Sequence, residues 1–129
     1  MKQILLVDDK ASIGKVLSMY LGKEYDFVYC EDPLKAIDWL HEGNEPDLII
    51  SDIRMPKMDG LTLVNKMEEL SQKPVVIVLS GYDEFSYAVE MMKHGVRDYI
   101  LKPIKRETIE QLLENLEREL SETRETEEE

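Results

Sequence analysis

The chain alternates short runs of apolar residues with longer segments in which apolar residues recur every three or four positions. Continuous apolar runs of this length, closed by turn residues, are typical of strands buried on both faces of a sheet. Five such runs lie at residues 4–7, 27–30, 48–51, 75–79 and 99–101. The helical spacing predicts five helices, at residues 11–21, 33–41, 61–70, 84–94 and 106–120.

Turn and capping residues mark the same boundaries. Pro33 suits the first turn of the second helix, Gly22 and Gly95 suit the ends of the first and fourth, and Asp83 is expected to cap the fourth. Strands that alternate with helices through short loops predict a parallel sheet covered on both faces. The predicted fold is α/β, with a single doubly wound five-stranded parallel sheet in the order 2-1-3-4-5, flanked by five helices.

Polar residues stand at the ends of the predicted strands. Asp8 and Asp9 follow the first strand, Asp52 the third, Ser80 the fourth and Lys102 the fifth. In a parallel sheet all these ends lie at one edge, where ligands bind. Asp52 alone, before a loop with proline and glycine, is best explained as a turn residue, and it becomes a candidate site residue only through the other strand ends.

Three carboxylates in one crevice repel each other by about 1 kcal/mol per pair at 4 Å in water, and by more at lower dielectric. Lys102 is one way to neutralise them, and a hard divalent cation is another, with Mg²⁺ favoured. A hydroxyl and an ammonium facing these carboxylates suit a phosphoryl group with three equatorial oxygens. Residues 31–32, which end the second strand, are expected at the border of the sheet, away from this crevice.

Composition narrows the function classes. The 129 residues suffice for one domain, and the net charge of −12 argues against nucleic-acid binding by this chain, which would need clustered basic side chains. The single cysteine, Cys30, suits a reducing compartment and a buried position. The first apolar run is too short for a signal peptide or a membrane span. These features predict a cytoplasmic chain without a membrane segment.

The motifs together resemble the receiver domains of two-component response regulators, which have a flavodoxin-like fold. The resemblance covers roughly residues 2–118. It rests on the acidic pair Asp8-Asp9, on Asp52 followed by Met55-Pro56 and Met58-Asp59-Gly60, on Ser80-Gly81, and on Asp98-Tyr99 ahead of Lys102-Pro103.

The resemblance implies that Asp52 accepts a phosphoryl group from a sensor histidine kinase, a phosphotransfer protein or a small phosphodonor. It also implies a Mg²⁺ site made of Asp8, Asp9, Asp52 and the backbone carbonyl of Arg54. Lys102 and Ser80 would contact the phosphoryl oxygens, and the Lys102-Pro103 bond would be cis. Such a domain promotes only its own phosphorylation and dephosphorylation, and is not otherwise an enzyme.

Ser80 and Tyr99 are the switch residues that the resemblance implies, acting on a surface of the fourth helix, fifth strand and fifth helix. This surface, which could also form a homodimer, contains Phe85, Tyr87, Met91, Met92, Tyr99 and Lys105. Burial in the core explains its apolar members equally well. Arg54 and Tyr82 flank the acceptor and are expected to slow hydrolysis of the phosphoryl group.

The sequence gives several alternatives for the process that this domain would control. Residues 80–85 and 95–99 look most like receivers fused to DNA-binding regulators of the arabinose-regulator type. Residues 1–120 are the predicted receiver, and residues 121–129 an acidic tail or the start of a linker helix. The alternatives are a stand-alone receiver that acts through protein contacts and a phosphatase of the aspartyl-phosphate type. Those phosphatases carry an Asp-x-Asp pair on the first strand, whereas Asp8 and Asp9 are adjacent here.

Overall fold

A computed structural model describes residues 3–52, residue 65 and residues 74–128. The strands are β1 (Gln3–Val7), β2 (Asp26–Cys30), β3 (Leu48–Asp52), β4 (Val75–Ser80) and β5 (Asp98–Leu101). The described helices are α1 (Ala11–Leu21), α2 (Pro33–His41), α3 (Phe85–Lys93) and α4 (Arg106–Glu128), and a 3-10 turn spans Tyr82–Glu84. The predicted third helix lies outside the described residues apart from Asn65, so α3 and α4 correspond to the predicted fourth and fifth helices.

The five strands form one sheet in the order β2-β1-β3-β4-β5, and every neighbouring pair is parallel. This confirms the predicted sheet. The register aligns the strand ends, since Val7 pairs with Ser51 and Ser80 pairs with Leu101. The residues at or just after the carboxyl ends of β1, β3, β4 and β5 therefore reach the same edge.

Each face of the sheet has its own apolar core, because alternate residues of a strand point to opposite faces. On one face, Leu5, Ile49 and Val78 pack with apolar residues of α2 and α3. On the other face, Leu6 and Ile50 pack with apolar residues of α1 and α4. The central strands are buried on both sides, which explains their continuous apolar sequences.

Two helix starts show how local sequence sets the boundaries. Asp32 caps α2, because its carboxylate accepts a hydrogen bond from the backbone N–H of Leu34 over 2.9 Å. The predicted cap of the later helix is wrong. Asp83 lies inside the 3-10 turn, and the N-cap of α3 is Glu84. The turn includes Glu84, the residue expected to begin the helix, so α3 starts one residue later, at Phe85.

The last helix, α4, continues to Glu128, beyond the predicted end at residue 120. Residues 121–128 are rich in glutamate, which favours helix, but they contain no apolar residue that would extend the periodic pattern. Among the described residues, no helix is both long enough and apolar enough to cross a membrane.

Candidate functional site

Three aspartates meet at the carboxyl edge of the sheet. Asp8 and Asp9 follow β1, Asp52 is the last residue of β3, and their nearest carboxylate oxygens lie within 4.8 Å of one another. Asp8 and Asp52 are buried, whereas Asp9 is exposed. The structure thus brings together the three carboxylates that the sequence singled out. Such a set of oxygen ligands could hold a hard metal ion.

Burial makes the ionised form of Asp8 unfavourable at this edge. Its Oδ1 accepts a hydrogen bond from the backbone N–H of Lys10 over 2.8 Å. In the described part of the chain its other oxygen, Oδ2, is buried without a hydrogen-bond partner. Burial, together with the charge of Asp52, raises the pKa of Asp8 from 3.8 to about 6. A buried oxygen in this position is suited to a cation.

Lys102 supplies the positive charge next to Asp52. Its Nζ lies 2.9 Å from Asp52 Oδ1, and its backbone N–H donates to the carbonyl oxygen of Ser80 over 2.8 Å. Burial alone would lower the pKa of Lys102. The hydrogen bond and charge of Asp52, with the charges of Asp8 and Glu84, outweigh burial and raise the pKa above its usual value. Lys102 is therefore a permanent cation, and its bond to Pro103 is cis, as predicted.

Ser80 ends β4 fully buried, and its hydroxyl donates to the carbonyl oxygen of Gly81 over 3.0 Å. The next backbone N–H, that of Gly81, donates to the Glu84 carboxylate at 2.9 Å. Sequence reasoning missed Glu84 at this edge. A glutamate three residues after the end of a strand is the pattern that could have indicated it, since such a side chain can reach back to a free N–H.

The predicted switch surface is only partly exposed. Tyr99 and Tyr87 are half-buried against the core that contains α3. Met91 is fully buried in that core and is thus not a surface residue, while Met92 is 39% exposed. The side chains of Tyr82 and Phe85, and all of Arg54, lie outside the described residues.

The edge strand β2 also contacts the acidic cluster, although sequence reasoning placed this strand away from it. The hydroxyl of Tyr29 donates a hydrogen bond to the backbone carbonyl of Asp8 over 2.7 Å. Asp32, which follows β2, instead caps α2. The sequence feature that could have indicated this contact is Gly14, because a glycine inside a helix can have a packing reason, such as the close approach of another group.

The model of the response regulator receiver domain family matches residues 4–114, most of the chain. The chain belongs to the response regulator receiver domains. These domains carry signals in two-component systems. In this chain Asp8 follows the first strand, Asp52 ends the third and Lys102 follows the fifth.

Relatives of this receiver domain are regulatory proteins. It is 34% identical over 120 residues to a response regulatory protein of Staphylococcus epidermidis (strain ATCC 12228), covering 90% of the chain and 47% of that protein. It is 34% identical over 126 residues to the transcriptional regulatory protein HptR of Staphylococcus aureus (strain NCTC 8325), covering 95% and 49%. It is 46% identical over 76 residues to the transcriptional regulatory protein YesN of Bacillus subtilis, covering 59% and 21%. The receiver domain therefore spans about half the length of these relatives, or less.

Solved structures share the fold. A response regulator receiver domain protein from Clostridium thermocellum superposes with a TM-score of 0.81 at 23% identity, covering 89% of this chain and 93% of that one. Full-length FixJ from B. japonicum superposes with a TM-score of 0.83 at 26% identity, covering 91% and 58%. The first likeness shows the fold alone, and the second places this receiver fold within a longer protein.

Proposed function

We propose that this receiver accepts a phosphoryl group on Asp52 from a phosphohistidine of a sensor histidine kinase or a phosphotransfer protein, or from a small phosphodonor. The observation that carries the proposal is the 2.9 Å contact between Asp52 Oδ1 and Lys102 Nζ beside two further carboxylates. One carboxylate is thereby held next to a fixed cation at the edge where strands present ligands. This is the arrangement that phosphoryl transfer to a carboxylate needs.

The acidic cluster fits Mg²⁺. Asp8, Asp9 and Asp52 offer three oxygens close enough to share one ion, and among the described residues Asp8 Oδ2 is buried without a partner. These side chains, with the carbonyl of Arg54 that lies outside the described residues, would hold the ion. A bound Mg²⁺ would supply positive charge to the carboxylates and to the oxygens of an incoming phosphoryl group.

The transfer itself exchanges one bond to phosphorus for another. An oxygen of Asp52 attacks the phosphorus atom, the phosphorus–nitrogen bond of the donor breaks, and its electron pair leaves with the imidazole nitrogen. Lys102 is placed to stabilise the negative charge of the transferred phosphoryl group, because its ammonium already contacts the attacking carboxylate. Hydrolysis later returns the carboxylate, because water attacks the phosphorus atom, the bond between phosphorus and the Asp52 oxygen breaks, and inorganic phosphate leaves. The receiver acts only on its own phosphoryl group and does not turn over another substrate.

Ser80 connects this chemistry to a switch. Its hydroxyl donates to the carbonyl of Gly81 in the present state, and rotation about its side chain would let it donate to a phosphoryl oxygen instead. Such a change would act on the connection between β4 and α3. It would then act on Tyr99 of β5, which pairs with Val78 of β4, the strand that Ser80 ends. A shift from 1:99 to 99:1 between two states requires about 5.5 kcal/mol of differential stabilisation.

The surface that responds would be formed by α3, β5 and α4. In a cytoplasmic regulator about twice the length of this chain, we propose that it controls transcription through a DNA-binding portion, of the arabinose-regulator type. The transcriptional regulatory relatives support this output. A homodimer through the same surface would couple phosphorylation to assembly. Tyr82 and Arg54 keep their proposed role in slowing hydrolysis.

The proposal is tested by intact-mass measurement after incubation with acetyl phosphate and Mg²⁺. The wild-type chain is expected to gain one acid-stable, base-labile phosphoryl group, and Asp52→Ala is expected to gain none. Asp26→Ala is the matched control, because Asp26 begins β2 at the opposite edge of the sheet and should leave the reaction unchanged. Equal incorporation in Asp52→Ala, or none in the wild type, would refute the assignment.

A further inference from the structure

Tyr29 links the edge strand β2 to the acidic cluster. Its hydroxyl donates a hydrogen bond to the backbone carbonyl oxygen of Asp8 over 2.7 Å. The backbone N–H of Asp8 donates to the carbonyl oxygen of Cys30, 3.2 Å away. Since β1 ends at Val7, these two bonds attach β2 to the residue that follows β1. Residues of β2 therefore fix Asp8 on both sides of its α-carbon.

Gly14 in α1 gives the Tyr29 ring the space that it occupies. A Cβ atom at position 14 would stand 2.5 Å from both Cδ2 and Cε2 of that ring. Real Cβ atoms essentially never come within 3.0 Å of such atoms, so any side chain at position 14 would have to displace the half-buried ring. Glycine weakens a helix interior relative to alanine, and the approach of Tyr29 provides a physical reason for glycine here.

The Asp8 peptide unit determines where two carboxylates of the cluster leave the backbone. Residues 8–10 alone join β1 to α1, and within them Asp8 Oδ1 accepts from the N–H of Lys10. Peptide units are rigid, so a displaced Asp8 carbonyl would move both Asp8 and Asp9 relative to Asp52. The hydroxyl of Tyr29 is thus placed to control the geometry of the cluster without touching a carboxylate.

We propose that Tyr29 is a positioning residue whose hydrogen bond to the Asp8 carbonyl, made possible by Gly14, fixes Asp8 and Asp9 for a divalent cation. This role rests on the proposed function, which assigns Mg²⁺ to these carboxylates. Groups that orient metal ligands typically contribute about 10–100-fold to metal affinity. Tyr29 acts through the backbone of one ligand, and the low end of that range is expected. A tyrosine whose hydroxyl only satisfied its own hydrogen bond would affect stability and leave metal affinity unchanged.

The test is Mg²⁺ titration of the 129-residue chain by isothermal calorimetry. Tyr29→Phe keeps the ring and removes the hydroxyl, and its Mg²⁺ dissociation constant is expected to be about tenfold higher than that of the wild type. Tyr25→Phe is the matched control, because Tyr25 precedes the other end of β2 and donates to Glu117 over 3.1 Å. It should lose stability in urea unfolding while binding Mg²⁺ as the wild type does.

A second variant, Gly14→Ala, changes the α1 residue against which the Tyr29 ring lies. The added methyl group would displace the ring and weaken Mg²⁺ binding by a factor similar to that of Tyr29→Phe. The double variant should bind Mg²⁺ no more weakly than Tyr29→Phe alone, because both changes break one hydrogen bond. Additive losses in the double variant would contradict a shared mechanism.

The outcomes separate this role from the proposed function. Normal Mg²⁺ binding by the wild type with an unchanged constant in Tyr29→Phe would overturn the positioning role alone. Equal weakening in Tyr25→Phe would also overturn it, because the effect would then follow stability rather than position. A wild-type chain that binds no Mg²⁺ would overturn the metal site, and the role of Tyr29 with it.

Discussion

Replacing Asp8 with asparagine should stabilise the fold when no metal is present. The folded protein raises the pKa of Asp8 from 3.8 to about 6, through burial first and the nearby charge of Asp52 second. At about 1.36 kcal/mol for each difference of one in pKa, keeping Asp8 ionised costs the folded state about 3 kcal/mol at neutral pH. Asparagine removes the charge and retains an oxygen that can accept from the N–H of Lys10, so a gain of about 1–3 kcal/mol is expected.

The stability gained by Asp8→Asn should depend on pH. Because the folded pKa is raised, the penalty is fully present above about pH 6, falls as pH decreases, and is absent below 3.8, where Asp8 is protonated in both states. The advantage of Asp8→Asn should therefore shrink by about half between about pH 7.5 and about pH 5.

Urea unfolding in the presence of a chelator measures the free energy of unfolding for both chains. Asp9→Asn is the matched control, because Asp9 is exposed and its substitution should change stability by less than about 0.5 kcal/mol. Added Mg²⁺ should stabilise the wild type more than Asp8→Asn, since ligands stabilise the state that binds them. An Asp8→Asn chain no more stable than the wild type, or a gain independent of pH, would refute the electrostatic reasoning.

Two further predictions concern the cation and the core. Lys102→Met should lower the free energy of unfolding by about 2 kcal/mol, because the buried Asp52 would lose the ammonium that contacts it, and it should abolish most phosphoryl incorporation. Lys105→Met, which changes an exposed lysine three residues further along the chain, should alter neither quantity. Equal effects of the two substitutions would refute the role given to the contact between Lys102 and Asp52. Leu113→Ala should cost about 2–5 kcal/mol in urea unfolding, because this fully buried side chain attaches α4 to the sheet, whereas the exposed Gln111→Ala should be nearly neutral.

The strands and their order were predictable because burial on both faces leaves a direct mark on the sequence. The runs that became β1, β3 and β4 are apolar without alternation, and each is followed or closed by a polar residue. Parallel pairing then brings those polar residues to one edge. The convergence of Asp8, Asp9 and Asp52 was expected from the strand ends and is present in the structure, and so is the cis bond before Pro103, which the resemblance to receiver domains implied.

The contact between Tyr29 and Asp8 was not predictable in the same way. It depends on the register that pairs Val7 with Cys30 and on the packing of a ring against Gly14, and neither follows from periodicity. The helix ends were only partly predictable. A 3-10 turn includes Glu84, the expected first residue of α3. Glutamate-rich sequence extends α4 to Glu128 without apolar residues to mark its end, so the sequence left both a tail and a helix open for residues 121–129.

The central claim is that Asp52 is the residue that receives the phosphoryl group. After incubation with acetyl phosphate and Mg²⁺, borohydride reduction converts an aspartyl phosphate to homoserine, and peptide mapping then locates the modified position. Homoserine is expected at position 52 alone, in an amount that falls when Mg²⁺ is chelated. Homoserine at position 8 or 9, or unmodified Asp52 in a chain that has gained phosphoryl mass, would contradict it.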